Sequence, residues 1–478
     1  MILRRLPVLG ISVVAAGAFV MAARDTPAPE PSVFASIPAP WMPSVPSDAA
    51  LTSTWFCPGV PADGTEGSAG TFVLANAGPA PMRARVTLLA GEGQAVELPV
   101  TVEPYSRSTV DPSASVAAPF VGAMVEIDGG RGLVEQVATQ SAGTSVAPCS
   151  TQLSSEWYLA EGFTAEDSSE QLVLTNPHDE SAVVDIGFAT DEGSRLPLES
   201  FVVPARSVQV VDMDAIAARD EPEVAVSVVA QRGELIVGRA QLYDGGGRLG
   251  YSMTLAAPAP RSQWWFANGL KGPDVTQRFS LYNPTESDVE VTPLFLGIAE
   301  GVTVDPIVVP AREVVTFTSD SVAGVPDGRH AVVFATADSS QSIVVERAIT
   351  RTIEDIPTTS VLPGATARAE DAFVPTTWTF AVGPGEPTAD AIVVYNSEGV
   401  VSTVTVQAVT ADGVVTVPGL EEVPLQPGEL ITISLTDAAA IDAQLVVRST
   451  SRVFVERSLP REPGAQGRSA SWAVPVVG

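Results

Sequence analysis

The chain is built from short runs in which apolar and polar residues alternate and which end at turn-forming residues. Runs such as VVDIGFAT, VVTFT and TVTVQAV place apolar side chains at every second position, which is the period of a half-buried β-strand. Gly, Pro, Asn and Asp separate the runs, as expected for antiparallel strands joined by turns. Between these runs, MDAIAARD and TDAAAID each suggest a single helical turn. The pattern therefore predicts an all-β fold.

The strands recur in the same order in four copies. Each copy opens on a tryptophan, at Trp55, Trp157, Trp264 and Trp378. About twenty residues later an apolar strand ends in asparagine, at Asn76, Asn176, Asn283 and Asn396. A proline turn and further strands follow, and the last strand pair of the copy carries an arginine, at Arg239, Arg347 and Arg457. Copies about 100 to 115 residues apart are whole domains rather than the units of a solenoid.

An acidic residue precedes the position of the repeated arginine in three of the four copies. It is Glu135, Glu346 or Glu456, whereas the second copy has Gly238, and the first copy has Gln136 in place of the arginine. Neighbours on one strand point to opposite faces, so Glu346 and Arg347 are not expected to pair with each other. A catalytic carboxylate pair would occur once, in a cleft. The recurring position therefore favours a structural or cross-strand role.

The number of strands predicts the type of domain. About seven short strands per hundred residues are typical of an immunoglobulin-like β-sandwich. We therefore predict four tandem antiparallel sandwiches, at residues 54–153, 154–261, 262–373 and 374–478. Because the opening tryptophans recur regularly, we expect them to pack in cores or between domains rather than to form one ligand platform. Tandem sandwiches of this kind would make stiff spacers and binding surfaces.

The N-terminus predicts export. Arg4 and Arg5 precede an uncharged stretch from Leu6 to Ala23, which as a helix would reach about 27 Å, just enough to cross a bilayer. The paired arginines favour a cytoplasmic start. Residues 1–23 are thus a signal anchor, which we favour, or a cleaved signal peptide. The Pro- and Ala-rich residues 24–53 read as an extended stalk.

Two cysteines, Cys57 and Cys149, suit a single disulfide in an exported chain. We predict that they bond to each other and so tie the first strand of the first copy to the end of its last strand. Two free thiols are the alternative. The other copies have no cysteine and would rely on core packing.

Charge and residue usage exclude several functions. The chain has 56 acidic and 26 basic residues and a formal net charge of -30, which argues against nucleic-acid binding. Its two histidines, His178 and His330, follow turns and give little basis for a catalytic triad or a zinc site. Acidic loops lack the alternating ligand spacing of a calcium loop and read as solvated turns. We therefore expect no enzymatic activity, no cofactor and no metal.

The repeat landmarks resemble those of a known family. The strings WYLAEGFT, LVLTNPHDE, VVPARSVQVVD and IVVERAIT are similar to repeats of large bacterial cell-surface proteins. Together with the N-terminal segment and the chain length, they most resemble the actinobacterial exported family known as domain of unknown function 5719. The resemblance covers about residues 50–478 and is weakest in the first copy, where Cys57 and Pro58 depart from the pattern. It implies an envelope location and the repeat architecture but no chemistry.

Two functions are compatible with these observations. The first is a non-enzymatic, membrane-tethered extracellular scaffold or interaction protein of the bacterial envelope, single-pass or secreted if the signal is cleaved. The second is a protein that binds a glycan or cell-wall polymer during envelope assembly. Exposed aromatic and acidic side chains gathered in one groove would favour the second. The expected partners are the membrane, through the N-terminal helix, and a protein or an envelope glycan.

Overall fold

The computed structural model describes residues 42–91, 93–216, 218–298, 302–366, 375–461 and 468–476. The predicted membrane segment 1–23 and most of the predicted stalk lie outside these ranges. Among the described residues, no helix is both long and apolar enough to cross a bilayer.

The described chain folds almost entirely into strands, as the alternating pattern predicts. The strands of the first copy are β1 (Thr52–Pro61), β2 (Ala69–Asn76), β3 (Met82–Leu89), β4 (Ala95–Val102), β5 (Ser106–Val110), β6 (Phe120–Asp128), β7 (Gly132–Gln140) and β8 (Gly143–Pro148). Those of the second are β9 (Glu156–Gly162), β10 (Ser169–Asn176), β11 (Ala182–Thr190), β12 (Gly193–Ser194), β13 (Leu198–Val203), β14 (Ser207–Asp212), β15 (Val224–Arg232), β16 (Ile236–Gly245) and β17 (Arg248–Leu255).

The third and fourth copies repeat this order. The strands of the third are β18 (Gln263–Lys271), β19 (Val275–Tyr282), β20 (Val289–Leu296), β21 (Ile307–Val309), β22 (Val314–Thr318), β23 (Gly328–Thr336), β24 (Val344–Ile353) and β25 (Ile356–Pro363). Those of the fourth are β26 (Thr377–Phe380), β27 (Thr388–Asn396), β28 (Ser402–Thr410), β29 (Gly413–Thr416), β30 (Val423–Leu425), β31 (Leu430–Leu435), β32 (Gln444–Ser449), β33 (Val453–Pro460), β34 (Arg468–Trp472) and β35 (Val474–Pro475).

Helical structure in the described chain is confined to single turns. The 3-10 turns are Thr65–Gly67, Pro112–Ala114, Met213–Ala215 and Ser319–Ser321, and the α-helical turn is α1 (Ala438–Ile441). Two of these lie in the segments for which the sequence predicts a helical turn. Asp212 and Asp437 cap them by accepting hydrogen bonds from the amides two residues later, as expected of N-cap aspartates.

Each copy, which we call a repeat, contains two antiparallel sheets that pack through a shared core. In repeat 1 the strand orders are β1-β6-β3-β4 and β5-β2-β7-β8. The other repeats follow the same plan: β9-β15-β11-β12 with β14-β10-β16-β17, β18-β23-β20-β21 with β22-β19-β24-β25, and β35-β26-β32-β28-β29 with β31-β27-β33-β34. The fold class, all-β sandwiches with antiparallel strands, is therefore as predicted.

The strand order differs from the immunoglobulin order that the strand count led us to expect. In an immunoglobulin sandwich the first strand lies in the sheet of the second, and the last strand in that of the sixth. Here β1 pairs with β6, and β7 and β8 lie in the sheet of β2. Strand number and alternation do not specify pairing, because every strand of a sandwich shows the same two-residue period.

The four repeats form a closed ring rather than an extended row. Their last strands, β8, β17, β25 and β34, pack side by side in the order of the repeats, and β34 also packs against β8. Residues from all four strands line one apolar cavity of about 30 Å³. That volume is room for little more than a water molecule. The centre of the ring is therefore a packed core and not a channel.

The start of the described chain lies on this ring. Met42 lines the central cavity, and Val45 is buried and pairs in parallel with Val476 near the C-terminus. The strand β1 then begins at Thr52. Residues 42–53, the last part of the segment that we interpreted as a stalk, are thus packed on the folded body. The Val45 side chain joins the core of repeat 1, and the Met42 side chain joins the core that repeats 3 and 4 share, which the proline-rich composition did not reveal.

Candidate functional site: the seams between repeats

In repeats 3 and 4 a consecutive Glu-Arg pair links the repeat to both of its neighbours. Glu346 and Arg347 are consecutive on β24, so they point in opposite directions. Glu346 reaches into repeat 2, where it binds Arg239. Arg347 contacts the ring of Phe266 and the carbonyl of Asn268 in its own repeat, and there meets Glu456 of repeat 4. Because consecutive side chains of β24 point to opposite faces, this one strand contributes a charged residue to each of two seams.

Three seams contain this ion pair, each with two nearly parallel hydrogen bonds. Arg239 Nη1 and Nη2 lie 3.1 and 3.3 Å from the Glu346 carboxylate oxygens. Arg347 lies 3.3 and 2.8 Å from Glu456. Arg457 lies 3.2 and 2.7 Å from Glu135. The third pair joins repeat 4 to repeat 1 and so closes the ring between segments 322 residues apart.

Each glutamate also accepts two backbone hydrogen bonds from the preceding repeat, from its first strand or, for Glu135, from the two residues directly after that strand. The donors are the amides of Ala160 and Glu161 for Glu346, of Ala267 and Asn268 for Glu456, and of Ala381 and Val382 for Glu135, at 2.7 to 3.1 Å. All six charged side chains of the three pairs are at most 2% exposed. A buried carboxylate with four donors is well satisfied, but removal of one partner leaves an uncompensated charge.

The seam between repeats 1 and 2 lacks the glutamate, the arginine and the first amide donor of this arrangement and keeps only the second amide, Gly59, which donates to Gln136. Gln136 replaces the arginine, and Gly238 replaces the glutamate. Pro58 stands where the other repeats have the first donating amide and has no N–H to donate. A Cβ at Gly238 would lie 2.8 Å from the Pro58 Cβ, so the glycine makes room for the proline. This seam therefore lacks the buried ion pair of the other three.

The disulfide lies beside this exceptional seam. Cys57 and Cys149 are bonded, as predicted, with 4.5 Å between their Cα atoms. The bond fixes Cys57, the residue directly before Pro58. The carbonyl of Pro58 accepts a hydrogen bond from the Thr175 hydroxyl of repeat 2. The covalent bond thus holds the contact surface of repeat 1 where the ion pair is missing.

The four opening tryptophans are buried in the cores of their repeats. The indole N–H groups of Trp157, Trp264 and Trp378 donate to the carbonyls of Leu235, Ile343 and Val453, at 2.8 to 2.9 Å. Trp55 has the same burial, but its indole nitrogen has no partner among the described residues. The three bonded indoles thus join the first strand of repeats 2, 3 and 4 to the chain at or directly before the start of β16, β24 and β33.

The four asparagines hold the turn that follows the second strand. The side-chain amide of Asn176 donates to the carbonyls of Glu180, Val203 and Pro204, and its oxygen accepts from the amide of His178. Asn76, Asn283 and Asn396 make the equivalent contacts. One buried side chain thus connects the turn to the proline turn that comes about 27 residues later.

A further charged cluster occupies the seam between repeats 2 and 3. Glu161 is buried and lies 2.8 Å from Arg248 and 3.6 Å from Arg278, and it also accepts from the Ser280 hydroxyl. Burial by itself raises the pKa of Glu161, but the two arginines outweigh it and bring the pKa below its ordinary value. Glu161 therefore stays ionised as the common partner of two arginines.

Glu170 in the same cluster behaves differently. It is fully buried, neither carboxylate oxygen has a hydrogen bond among the described residues, and Arg239 is 3.9 Å away. Burial raises the pKa of Glu170 to about 8, and Arg239 offsets this only in part, because Glu346 and Glu161 are also close. The side chain is therefore protonated at neutral pH, since an ionised form would lack solvation.

The histidines and acidic loops form no such clusters. His330 is buried against the ring of Phe295 and hydrogen-bonds Gln277, and burial lowers its pKa to about 4. His178 is exposed in the turn held by Asn176. In the part of the chain that the structure describes, no group of three or more His, Cys, Asp or Glu side chains is placed to bind a metal ion.

The sequence pointed to the arginines and glutamates but not to their partners. It did not reveal the pairing of Glu135 with Arg457, the cluster around Glu161, or the role of Pro58. The joint absence of glutamate, arginine and first amide donor at one seam could have been noticed in the aligned repeats. These missing groups have a structural meaning only because neighbouring repeats contact each other at this position.

Comparisons with known proteins give limited support for a family. A family model described as "Family of unknown function (DUF5719)" matches residues 131–238, from the start of β7 to the Gly238 position in β16. No curated protein matches the chain. A crystal structure of a tetra-tandem repeat in the extending region of a large adhesion protein matches with 12% identity, covering 84% of this chain and 94% of that chain, with a TM-score of 0.12. A TM-score this low supports no shared arrangement. Over residues 131–238, the chain is therefore similar to a family of unknown function.

Proposed function

We propose that the chain is a non-enzymatic extracellular scaffold or interaction protein of the bacterial envelope, tethered to the membrane by residues 1–23. The observation that carries this proposal is the closure of the ring by Arg457 and Glu135. A closed ring presents fixed surfaces on four sandwiches, and its cores are continuous across the seams. The repeated charged residues stabilise this shape rather than line an open cleft.

The glycan-binding alternative would gain support from exposed aromatic rings. Five of the tryptophans in the described chain are at most 3% exposed: Trp55, Trp157, Trp264, Trp378 and Trp472. Trp265 stacks on Phe454 of repeat 4 at 5.1 Å between ring centroids. Tryptophans that fill cores and seams form no stacking platform for sugar rings, so the scaffold role is favoured.

The test combines location with ring integrity. A tagged full chain should fractionate with membranes, and protease added to intact cells should cleave it. A variant without residues 1–23 should remain inside the cell. Protection of the full chain in intact cells, or its recovery with cytosolic proteins, would contradict the proposal.

Ring closure can be tested in the same cells. Chemical cross-linking should trap envelope partners with the wild-type chain, and Glu135→Ala should reduce this, because it removes one side of the closing pair. Glu234→Ala, at an exposed residue before β16, is the matched control and should leave cross-linking unchanged. If both variants cross-linked partners equally well, partner binding would not depend on closure of the ring.

A further inference from the structure

The seam between repeats 4 and 1 also forms a groove of mixed polar and apolar lining on the outside of the ring. It has a volume of about 390 Å³, within the range of about 300–1,000 Å³ that small-molecule sites occupy. Its floor is the outer face of β26 and β32, and its walls are residues 45–48 and the loop before β7. Segments of repeats 1 and 4 and the residues before β1 therefore build it together.

The floor presents hydrogen-bonding groups beside aliphatic side chains. Thr377 and Thr379 on β26 lie opposite Arg448 and Val446 on β32, and all four line the groove. Because residues two apart share a face of a strand, hydroxyl, guanidinium and valine side chains alternate over one surface. Such a surface can hydrogen-bond the hydroxyl groups of a sugar while the valines pack on its C–H face.

Gln444 and Thr379 form a buried polar layer in the lining of the groove. Each residue is 4% exposed. The Gln444 amide nitrogen donates to the Thr379 hydroxyl, which in turn donates to the carbonyl of Leu445. The Gln444 side-chain oxygen is buried and has no hydrogen-bond partner in the described structure. On these two strands the polar side chains open to the groove are therefore Thr377, which is half-buried, and Arg448, which is exposed.

The charges in the groove add one unbalanced cation. Arg131 forms an ion pair with Asp48, and both line the groove. Arg448 donates from Nε to Gln407 and has no carboxylate partner among the described residues. In a chain with a formal net charge of -30, an unpaired guanidinium beside hydroxyls favours a ligand that carries its own acidic group.

We propose that this groove, lined by Thr377, Thr379, Gln444 and Arg448, binds a saccharide that carries a carboxylate or phosphate group. A hydroxyl of the sugar hydrogen-bonds the Thr377 hydroxyl, and its acidic group pairs with Arg448. The inference rests on the extracellular location given under the proposed function. It assigns the groove to an acidic glycan even though the tryptophans supply no stacking platform.

The test measures, by isothermal titration calorimetry, how tightly the purified full chain binds two matched ligands. These are a galacturonic acid trisaccharide and its methyl ester. The acid should bind saturably, and the neutral ester about tenfold more weakly. Arg448→Gln should weaken binding of the acid about tenfold, the effect of losing one charge-assisted hydrogen-bonded pair. The same variant should not change binding of the ester.

Two further variants separate the groove from general effects. Arg85→Gln removes another exposed strand arginine, which lies outside the groove and pairs with Glu126, and should leave both ligands unaffected. Thr377→Val should weaken both ligands a few-fold, because it removes a hydroxyl that does not depend on ligand charge. Unchanged thermal unfolding of all variants shows that the ring is intact.

The results that overturn the inference are specific. They are no saturable binding of either ligand, equal affinity of wild type and Arg448→Gln for the acid, or equal loss in Arg85→Gln. A chain that reaches the cell exterior but binds neither ligand would refute the groove assignment and leave the scaffold role standing. A cytosolic chain that binds the acid would refute the extracellular scaffold role and leave the groove assignment standing.

Discussion

Removing Glu135 should open the ring at a single place. Its carboxylate accepts two hydrogen bonds from Arg457 and two from the amides of Ala381 and Val382. Glu135→Ala would leave a guanidinium, 2% exposed, without a counter-charge. Breaking a buried pair in this way costs about 3–5 kcal/mol. Since repeats 4 and 1 are at opposite ends of the repeat sequence, no adjacent linker compensates for the loss.

The effect should be visible in both stability and shape. We expect the first transition in urea-induced unfolding to move to lower urea by an amount equivalent to about 3–5 kcal/mol. The amides of Ala381 and Val382 should exchange faster with solvent, and small-angle X-ray scattering should show a larger radius of gyration. Glu346→Ala should destabilise its seam similarly but change the radius less, because repeats 2 and 3 are consecutive.

Two controls make the prediction specific. Glu126→Ala removes an exposed carboxylate from the pair with Arg85 and should cost only about 0–1 kcal/mol. The double variant Glu135→Ala/Arg457→Met removes both buried charges and should recover most of the lost stability. If Glu135→Ala cost no more than Glu126→Ala and left the scattering unchanged, the ion pair would not be what closes the ring.

Three further predictions concern single repeats and one seam. Reducing the Cys57–Cys149 bond should destabilise repeat 1 by about 4–5 kcal/mol in the chain-entropy model, seen as an earlier unfolding transition in reducing buffer; an unchanged transition would contradict this. Asn176→Ala should cost about 1–3 kcal/mol in urea unfolding, because three buried carbonyls lose a donor, whereas His178→Ala in the same turn should be neutral. Glu170 has a pKa of about 8 when folded and an ordinary value of 4.5. It therefore holds its proton only in the folded chain between those values, so its contribution to stability falls as pH rises from about 4.5 to 8. Glu170→Gln should therefore raise the melting temperature at pH 8 relative to wild type, with the difference vanishing towards pH 4; a difference independent of pH would contradict the assignment.

Local sequence determined a large part of this structure. Apolar alternation is a property of each strand by itself, so it predicted the strands, and the recurring tryptophans and asparagines predicted the four copies. Residue type predicted the Cys57–Cys149 bond, because two cysteines in an exported chain leave one intramolecular pairing. Strand geometry also indicated that Glu346 and Arg347 point apart, since consecutive side chains alternate between faces.

The contacts between repeats were decided by tertiary structure alone. Glu135 and Arg457 are 322 residues apart, and every repeat carries the same local pattern, so no period in the sequence shows which repeats touch. The strands within one repeat also share the same alternating pattern, so the number of strands suggested an immunoglobulin strand order that the sheets do not have.

The groove and the protonated state of Glu170 have a similar origin. Thr377, Arg131 and Asp48 are unremarkable in sequence and form a groove only because the ring brings repeats 4 and 1 together. Glu170 occupies an ordinary strand position, and its raised pKa arises from burial beside the neighbouring repeat. The sequence thus determined the repeat and its strands, whereas the closure of the ring decided which charges are buried, which are paired and where a ligand could bind.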